Sequence, residues 1–301
     1  MELRQLRYLV AIAEAGNLGR AAEALHVSQP TLSYALKTLE SELRVRLFER
    51  HPGGVRATAA GEEVVAEARR TVAQADRVRA AAERHWPGGS GLLLRVGFEA
   101  SGAGELITRA RAEFARRHPG IRVEPKRFDW GQEVAALRDG RADVAFIWLP
   151  ADTSGLRTVV VHVEPRVVGL PAAHRLAGRG RVTLDDIHDE PLTWTQHAPR
   201  AWVDWWAVNP RPDGSSPRWG PTNNNVEEML EQVAVGAAIC IAPASMARYY
   251  ARPDLAWARL TDVEPMRVAL AWPRQRESEP IREFASVVQE LSRAGRAAPP
   301  R

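Results

Sequence analysis

At 301 residues and 45% apolar composition, the chain has room for about two domains with real cores. A single cysteine, Cys240, excludes a disulfide framework and a multi-cysteine metal site. The formal net charge of +4 is small, so any basic surface has to be arranged rather than massed, and no run of eighteen apolar residues offers a membrane span.

Leu3–Ala15 opens the chain as a helix with Leu6, Leu9, Val10 and Ala13 on one side, ended by Gly16-Asn17 as a left-handed cap. No charged leader precedes an apolar segment, which sets the expectation of a cytoplasmic protein. Leu18 to Arg50 then reads as two short helices with a tight junction. The first supplies Ala21, Ala22 and Leu25, small enough for a second helix to cross closely. The second begins at Ser28, placed as an N-cap with Thr31 three residues on and Pro30 in the first turn. Leu32, Leu36, Leu39 and Leu43 make its apolar stripe, leaving Gln29, Thr31, Ser33, Tyr34 and Lys37 outward. Polar side chains near a helix N-terminus suit the major groove, although two amphipathic helices with a short turn occur in many helical domains.

The run Ala21-Ala22-Glu23-Ala24-Leu25-His26-Val27-Ser28-Gln29-Pro30-Thr31-Leu32-Ser33 is followed by Leu39-Glu40, Leu43 and Leu47-Phe48-Glu49-Arg50. Together they resemble the N-terminal winged helix-turn-helix of LysR-type transcriptional regulators. The resemblance runs from Leu3 to Glu62 and continues more weakly, in pattern, to about Arg293. Tyr34 departs from it, standing where many members carry arginine. The resemblance implies DNA contacts from Ser28, Gln29, Pro30, Thr31, Ser33, Tyr34 and Lys37. Glu49 to Arg56 forms the wing, a Pro-Gly-Gly turn flanked by Arg50 and Arg56, which either touch phosphate or remain solvated surface charges.

Thr58 caps a long helix to about His85, with Val65, Ala68, Val72, Ala75 and Ala82 at alternating spacings of three and four. So thin an apolar face is poorly stable alone, so pairing with a second copy is expected, against packing on its own domain. LysR-type proteins use this helix for pairing. Trp86 to Gly91 makes a hinge.

From Leu92 strands and helices alternate. Strands are expected at Leu92–Phe98, from Ile121 and at Asp143–Trp148, with helices at Glu105–Arg117 and Gln132–Arg138, an order that implies a parallel sheet. A second such run spans Val167 to Arg259, holding Cys240 in a buried strand. A strand at Met266–Trp272 and a helix at Ile281–Arg293 close the chain. This resembles the two-lobed α/β effector domain of LysR-type regulators, like type 2 periplasmic binding proteins. The division expected is a winged helix-turn-helix over 1–58, a dimerisation helix and hinge over 59–90, and an effector domain over 91–301. Lobe 1 would hold 91–162 and 266–301, and lobe 2 would hold 163–265.

Ligands of open α/β sheets sit beyond the carboxyl ends of strands. Here those ends deliver Ser101, Gly102, Trp130 and Trp148 from lobe 1, and Thr195, Thr222, Asn223 and Asn224 from lobe 2. Ser101 and Trp130 fall at positions resembling the family's ligand-contacting ones. Plainer roles compete: Ser101 as a helix cap, Trp148 as core, and Asn225 with Glu228 as a capping box. Trp202, Trp205 and Trp206 share a helical face more suited to core or subunit contact than to a ligand. A cleft walled by Trp130, Trp148 and Trp194 favours a flat, apolar effector, and Glu99 there would repel a dianion.

Motifs for phosphate cradling, zinc hydrolysis and serine hydrolysis are all missing, and His162 with Glu164 makes only a weak metal pair. The expectation is a regulator, not an enzyme, with no cofactor and no metal. Its partners would be double-stranded DNA, a small-molecule effector, itself as homodimer or homotetramer, and RNA polymerase. A ligand-independent architectural DNA-binding protein is the alternative.

Overall fold

In the computed structural model, which describes residues 1–51, 53–83, 92–196 and 198–297, helix α1 (Leu3–Ala15) is set by Glu2 and Gln5. Each of these side chains caps the other's backbone N–H. Gly16, at φ 60°, ends the helix as expected. Asn17 then accepts from the N–H groups of Gly19 and Arg20 and starts α2 (Leu18–Ala24). The turn passes through His26 at φ 54°, and Ser28 Oγ accepts from Thr31 N–H to open α3 (Gln29–Leu43). Leu32 and Leu39 are fully buried against Leu6, Leu9 and Ile12, while Leu43 at the end of the stripe is exposed.

Strands β1 (Phe48–His51) and β2 (Gly54–Ala57) form the wing, an antiparallel hairpin whose Pro52 lies outside the described residues. Val55 N–H donates to Gly16 carbonyl oxygen at 2.8 Å and seats the hairpin on the end of α1. Thr58 Oγ1 accepts from Gly61 N–H to cap α4 (Ala59–Glu83). These elements make one compact unit, Met1–Gly89, and Ser90–Arg301 makes a second. The hinge expected at Trp86–Gly91 lies outside the described residues.

The second unit begins with β3 (Leu92–Phe98), α5 (Glu105–Arg117), β4 (Ile121–Arg127), α6 (Glu133–Asp139), β5 (Val144–Leu149) and β6 (Leu156–Glu164). After Pro165 the chain builds β7 (Arg166–Pro171), β8 (Arg181–Val182), β9 (Leu192–Trp194), α7 (Arg200–Ala207), β10 (Trp219–Thr222), α8 (Val226–Ala234), β11 (Cys240–Pro243), α9 (Ala244–Tyr249) and β12 (Leu255–Leu260). Then β13 (Met266–Pro273) and α10 (Glu279–Ala297) return.

The first of these sheets has the order β4-β3-β5-β13-β6. The strands of the early β–α–β–α–β run, β4, β3 and β5, are parallel as expected; β13, which returns to this sheet, runs antiparallel to both of its neighbours. Phe114 of α5 and Phe284 of α10 pack with Phe146 on one face, and α6 covers Ala145 and Ile147 on the other. With both faces covered, β5 is buried over Val144–Trp148. The other sheet, β11-β7-β12-β8, departs from the expected second parallel run. There β7 is antiparallel to β11 and β12, and only β12 with β8 is parallel. Cys240 is buried there, and its thiol is pushed up to about 12 by burial, so it serves as core.

Candidate nucleic-acid interface and ligand cleft

Buried leucines fix which face of α3 remains outside. Gln29, Pro30, Thr31, Tyr34 and Lys37 are exposed, Tyr34 by 74%, and Ser33 is half-buried. Ser28 is exposed as well, with its hydroxyl 2.7 Å from that of Thr31. Ser33 and Lys37 line a groove between α3 and the wing, together with Arg46 and Arg50. The hairpin register separates the two wing arginines. Arg50 pairs with Val55, and Arg56 pairs with Glu49, so they project from opposite faces. Arg50 borders the groove, whereas Arg56 stands across from a carboxylate. Sequence reasoning missed Glu40, whose Oε1 accepts from Leu47 N–H at 2.7 Å and Phe48 N–H at 3.2 Å, tying the wing to α3.

The expected seam of α4 is corrected at its N-terminal half. Val65 and Ala68 are 3% and 2% exposed and belong to this unit's own core, with Val72 packed beside them, so they cannot face a second subunit. Ion pairs from Arg7 to Asp76 and from Arg69 to Glu14 hold that side of α4 to α1. The outer face carries exposed Thr71 and Val78 with half-buried Ala75. The side chain of Ala82 lies outside the described residues.

In the second unit the chain ends of both sheets converge on an apolar cavity of about 50 Å³. Trp130 and Trp148 come from the loop after β4 and the end of β5, and Trp202 and Trp206 from α7. Thr195 and Asn223 follow β9 and β10. Ring centroids lie 6.0 Å apart for Trp130–Trp148, 6.4 Å for Trp130–Trp202, 5.4 Å for Trp148–Trp206 and 5.8 Å for Trp202–Trp206. Trp130 Nε1 donates to Asn223 Oδ1 at 2.8 Å, joining the two halves of the unit, and Trp148 Nε1 donates to Gly102 carbonyl oxygen at 3.1 Å. Beyond Trp148 and Trp202 lies a larger recess of about 510 Å³.

Four of the eight residues expected at this cleft line it: Trp130, Trp148, Thr195 and Asn223. The other four do not. Ser101 caps no helix; its hydroxyl meets that of Ser245 at 3.1 Å, and Ser245 Oγ donates to Glu164 at 3.0 Å. Gly102 makes a turn at φ 56°, where a Cβ would fall 2.2 Å from Ile107 Cδ1. Thr222 is exposed, its carbonyl oxygen accepting from Gln232. Asn224 uses its backbone, donating to Glu228 and accepting from Trp130 N–H. Asn225 caps α8 as expected.

Trp202 and Trp206 were legible only as a helical cluster; their face turns into the cleft. Trp205 turns away, with the Arg166 guanidinium 4.3 Å from its ring and its Nε1 donating to Glu264. Glu99 does not enter the cleft, which removes the argument against a dianion based on its charge. It is fully buried, accepts from Gly131 N–H at 2.9 Å and shares a hydrogen bond with Glu133. Burial raises its carboxyl to about 7. Glu133 is raised well above the ordinary range by burial and by the charge of Glu99. Among the described residues no cluster of His, Cys, Asp or Glu could hold a metal, and no helix is long and apolar enough to cross a membrane.

Residues 3–62 match the bacterial regulatory helix-turn-helix protein, lysR family, and residues 87–293 match the LysR substrate binding domain. The chain is 32% identical to the transcriptional regulator AlsR of Bacillus subtilis (strain 168) over 64% of its length. That match spans 63% of AlsR, just under two thirds. It is 28% identical to the Hca operon transcriptional activator HcaR of Escherichia coli (strain K12), over 96% of this chain and 98% of that one. The crystal structure of CbnR, a LysR family transcriptional regulator, superposes with a TM-score of 0.64 at 26% identity, covering 97% of this chain and 99% of CbnR. CbnR complexed with its target DNA superposes with a TM-score of 0.55 at 28% identity, over 97% and 100% of the two chains.

Proposed function

Because the chain belongs to the LysR family of bacterial regulators, we propose that it controls transcription by binding double-stranded DNA, with a small molecule between the halves of its second unit setting that binding. The observation that carries this reading is the Trp130–Asn223 hydrogen bond beside a cavity walled from both sheets. A ligand shifts an equilibrium only by binding one arrangement better than another, and contacts from both sides supply that difference. The segments at Pro165 and between Leu260 and Met266 are the two places where the chain passes between the halves, and they serve as hinges.

On the DNA side, Gln29, Thr31, Ser33 and Tyr34 read base edges, with Ser28 and Pro30 beside them, while Lys37, Arg50 and Arg56 meet phosphates. Gln29→Ala should weaken operator binding by about 1–3 kcal/mol and leave non-specific binding unchanged. Lys37→Ala should weaken binding to all sequences alike and lower the slope against salt by about one. Gel-shift titrations at several salt concentrations read both; unchanged operator affinity in the two variants would remove α3 from the interface.

The protein acts as a homodimer or homotetramer that pairs through the outer face of α4, bearing Thr71, Ala75 and Val78. It acts in the cytoplasm, where promoter DNA and RNA polymerase are its partners. On the ligand side, Trp148→Ala should abolish the change in operator affinity that an effector causes, without altering binding in its absence. A parent-like response in Trp148→Ala places the ligand elsewhere. Constitutive DNA binding without a ligand is a second reading, favoured by the small cavity of about 50 Å³. A thermal-shift screen that finds no stabilising metabolite would support it.

A further inference from the structure

We propose that the ligand of this cleft is an uncharged, aromatic molecule bearing one hydrogen-bond acceptor, seated among Trp130, Trp148, Trp202 and Trp206. This rests on the cleft being the effector site. Among the described residues, no ionisable side chain lines the cavity. Two buried groups that could be thought to serve the cleft are engaged elsewhere: Glu99 lies beside Glu133, and Arg166 meets the Trp205 ring and the carbonyl oxygens of Trp205 and Glu264. A carboxylate or ammonium entering here would lose its hydration and meet no opposite charge.

The three buried indoles, Trp130, Trp148 and Trp206, leave one polar request. Trp130 Nε1 and Trp148 Nε1 have acceptors, but Trp206 Nε1 is buried without a partner in a side chain 7% exposed. A buried donor of this kind is satisfied by a carbonyl, ether or hydroxyl oxygen of the ligand. The ring centroids stand 5.4–6.4 Å apart, the spacing at which aromatic rings pack, so a flat ring substitutes for an indole–indole contact.

Size then dictates how the ligand enters. A cavity of about 50 Å³ is smaller than the roughly 150 Å³ that holds a benzene ring. The recess of about 510 Å³ beyond Trp148 and Trp202 is within the range of ligand pockets. Displacing Trp202 joins the two spaces. Three charged groups line that recess among the described residues, and they offset one another or are buried: Arg138 pairs with Asp152, and Glu133 lies beside Glu99.

The test uses the full-length chain and three probes with one ring: methyl benzoate, toluene and benzoate. Calorimetric titration should show methyl benzoate binding at least tenfold more tightly than benzoate. Trp206→Phe, which keeps a ring in place, should weaken methyl benzoate about tenfold and leave toluene unchanged. Benzoate binding as tightly as its ester overturns the uncharged class, and equal losses for ester and toluene overturn the acceptor. Absence of saturable binding by all three probes overturns the proposal as a whole. Trp148→Ala separates the underlying reading: if methyl benzoate binds that variant as it binds the parent, the probe lies outside the cleft and the effector-site assignment fails, whatever the charge preference.

Discussion

Gly61→Ala should abolish operator binding while the second unit unfolds as in the parent. Gly61 is buried in the first turn of α4, and a Cβ there would lie 2.0 Å from the carbonyl oxygen of Leu47. Both sides of that contact are backbone, so no flexible side chain can swing away. Leu47 is further pinned by Thr58 N–H donating to its carbonyl and by Glu40 Oε1 on its N–H. The added methyl therefore has to push α4 and the Leu47 backbone apart, at about 1–3 kcal/mol. That is a large part of a small unit's total stability. The two units can be followed separately, because nine of the ten tryptophans lie in the second unit and only Trp86 falls within Met1–Gly89. Loss of helical circular dichroism at lower temperature, with an unshifted tryptophan transition, is the expected result. Operator affinity within twofold of the parent would show that Leu47 yields without consequence.

Stability of the second unit should fall as pH rises from about 5 to about 8, and Glu133→Gln should flatten that fall. Glu99 is held at about 7 in the fold against 4.5 for an ordinary glutamate, with burial the main cause. Between those values the unfolded chain has released its proton and the folded chain has not. The stabilisation is complete below pH 4.5 and is lost as pH passes through 7. Glu133, raised by burial and by Glu99, acts in the same direction, as does buried Glu164. Depressed carboxyls such as Glu113, at about 2, act only at lower pH. Glutamine at 133 donates to an ionised Glu99 and removes the shared proton. Urea midpoints from tryptophan emission at pH 5, 6, 7 and 8 measure the slope; the same slope in Glu133→Gln and parent would place the titration elsewhere.

What could be read from the sequence was what short stretches encode. The Ser28 cap, the Leu32 and Leu39 stripe and the left-handed Gly16 depend on neighbours within one or two turns, and they stand in the structure as expected. Partnerships across long separations were not legible. Periodicity marked Val65 and Ala68 as a seam, but it does not say which surface meets the seam, and that surface is α1 of the same chain. Glu99 was visible as an acid at a strand end; its partner Glu133 lies 34 residues further on, so its burial was not. Trp202 and Trp206 showed a helical face, and only the placement of α7 against β9 and β11 turns that face into a cleft. Strand direction held for β3, β4 and β5 but not for the run from Val167, since alternation of strands and helices does not reveal that β7 pairs antiparallel with β11 and β12.

The late strand β13 has a consequence for the chain as it leaves the ribosome. β6 has a single neighbour in its sheet, β13, and β13 is also what covers the open side of β5. Roughly 100 residues separate the end of β6 from the start of β13, which at 5–20 residues per second is roughly 5–20 s of synthesis. Throughout that interval β5 and β6 present unpaired edges, the kind of template on which nascent chains aggregate. The sheet built from β7, β8, β11 and β12 needs nothing outside residues 166–260 and closes first. Within the second unit the later sheet is therefore complete before the earlier one, and the interval before β13 emerges is when a chaperone holding the first sheet would matter most.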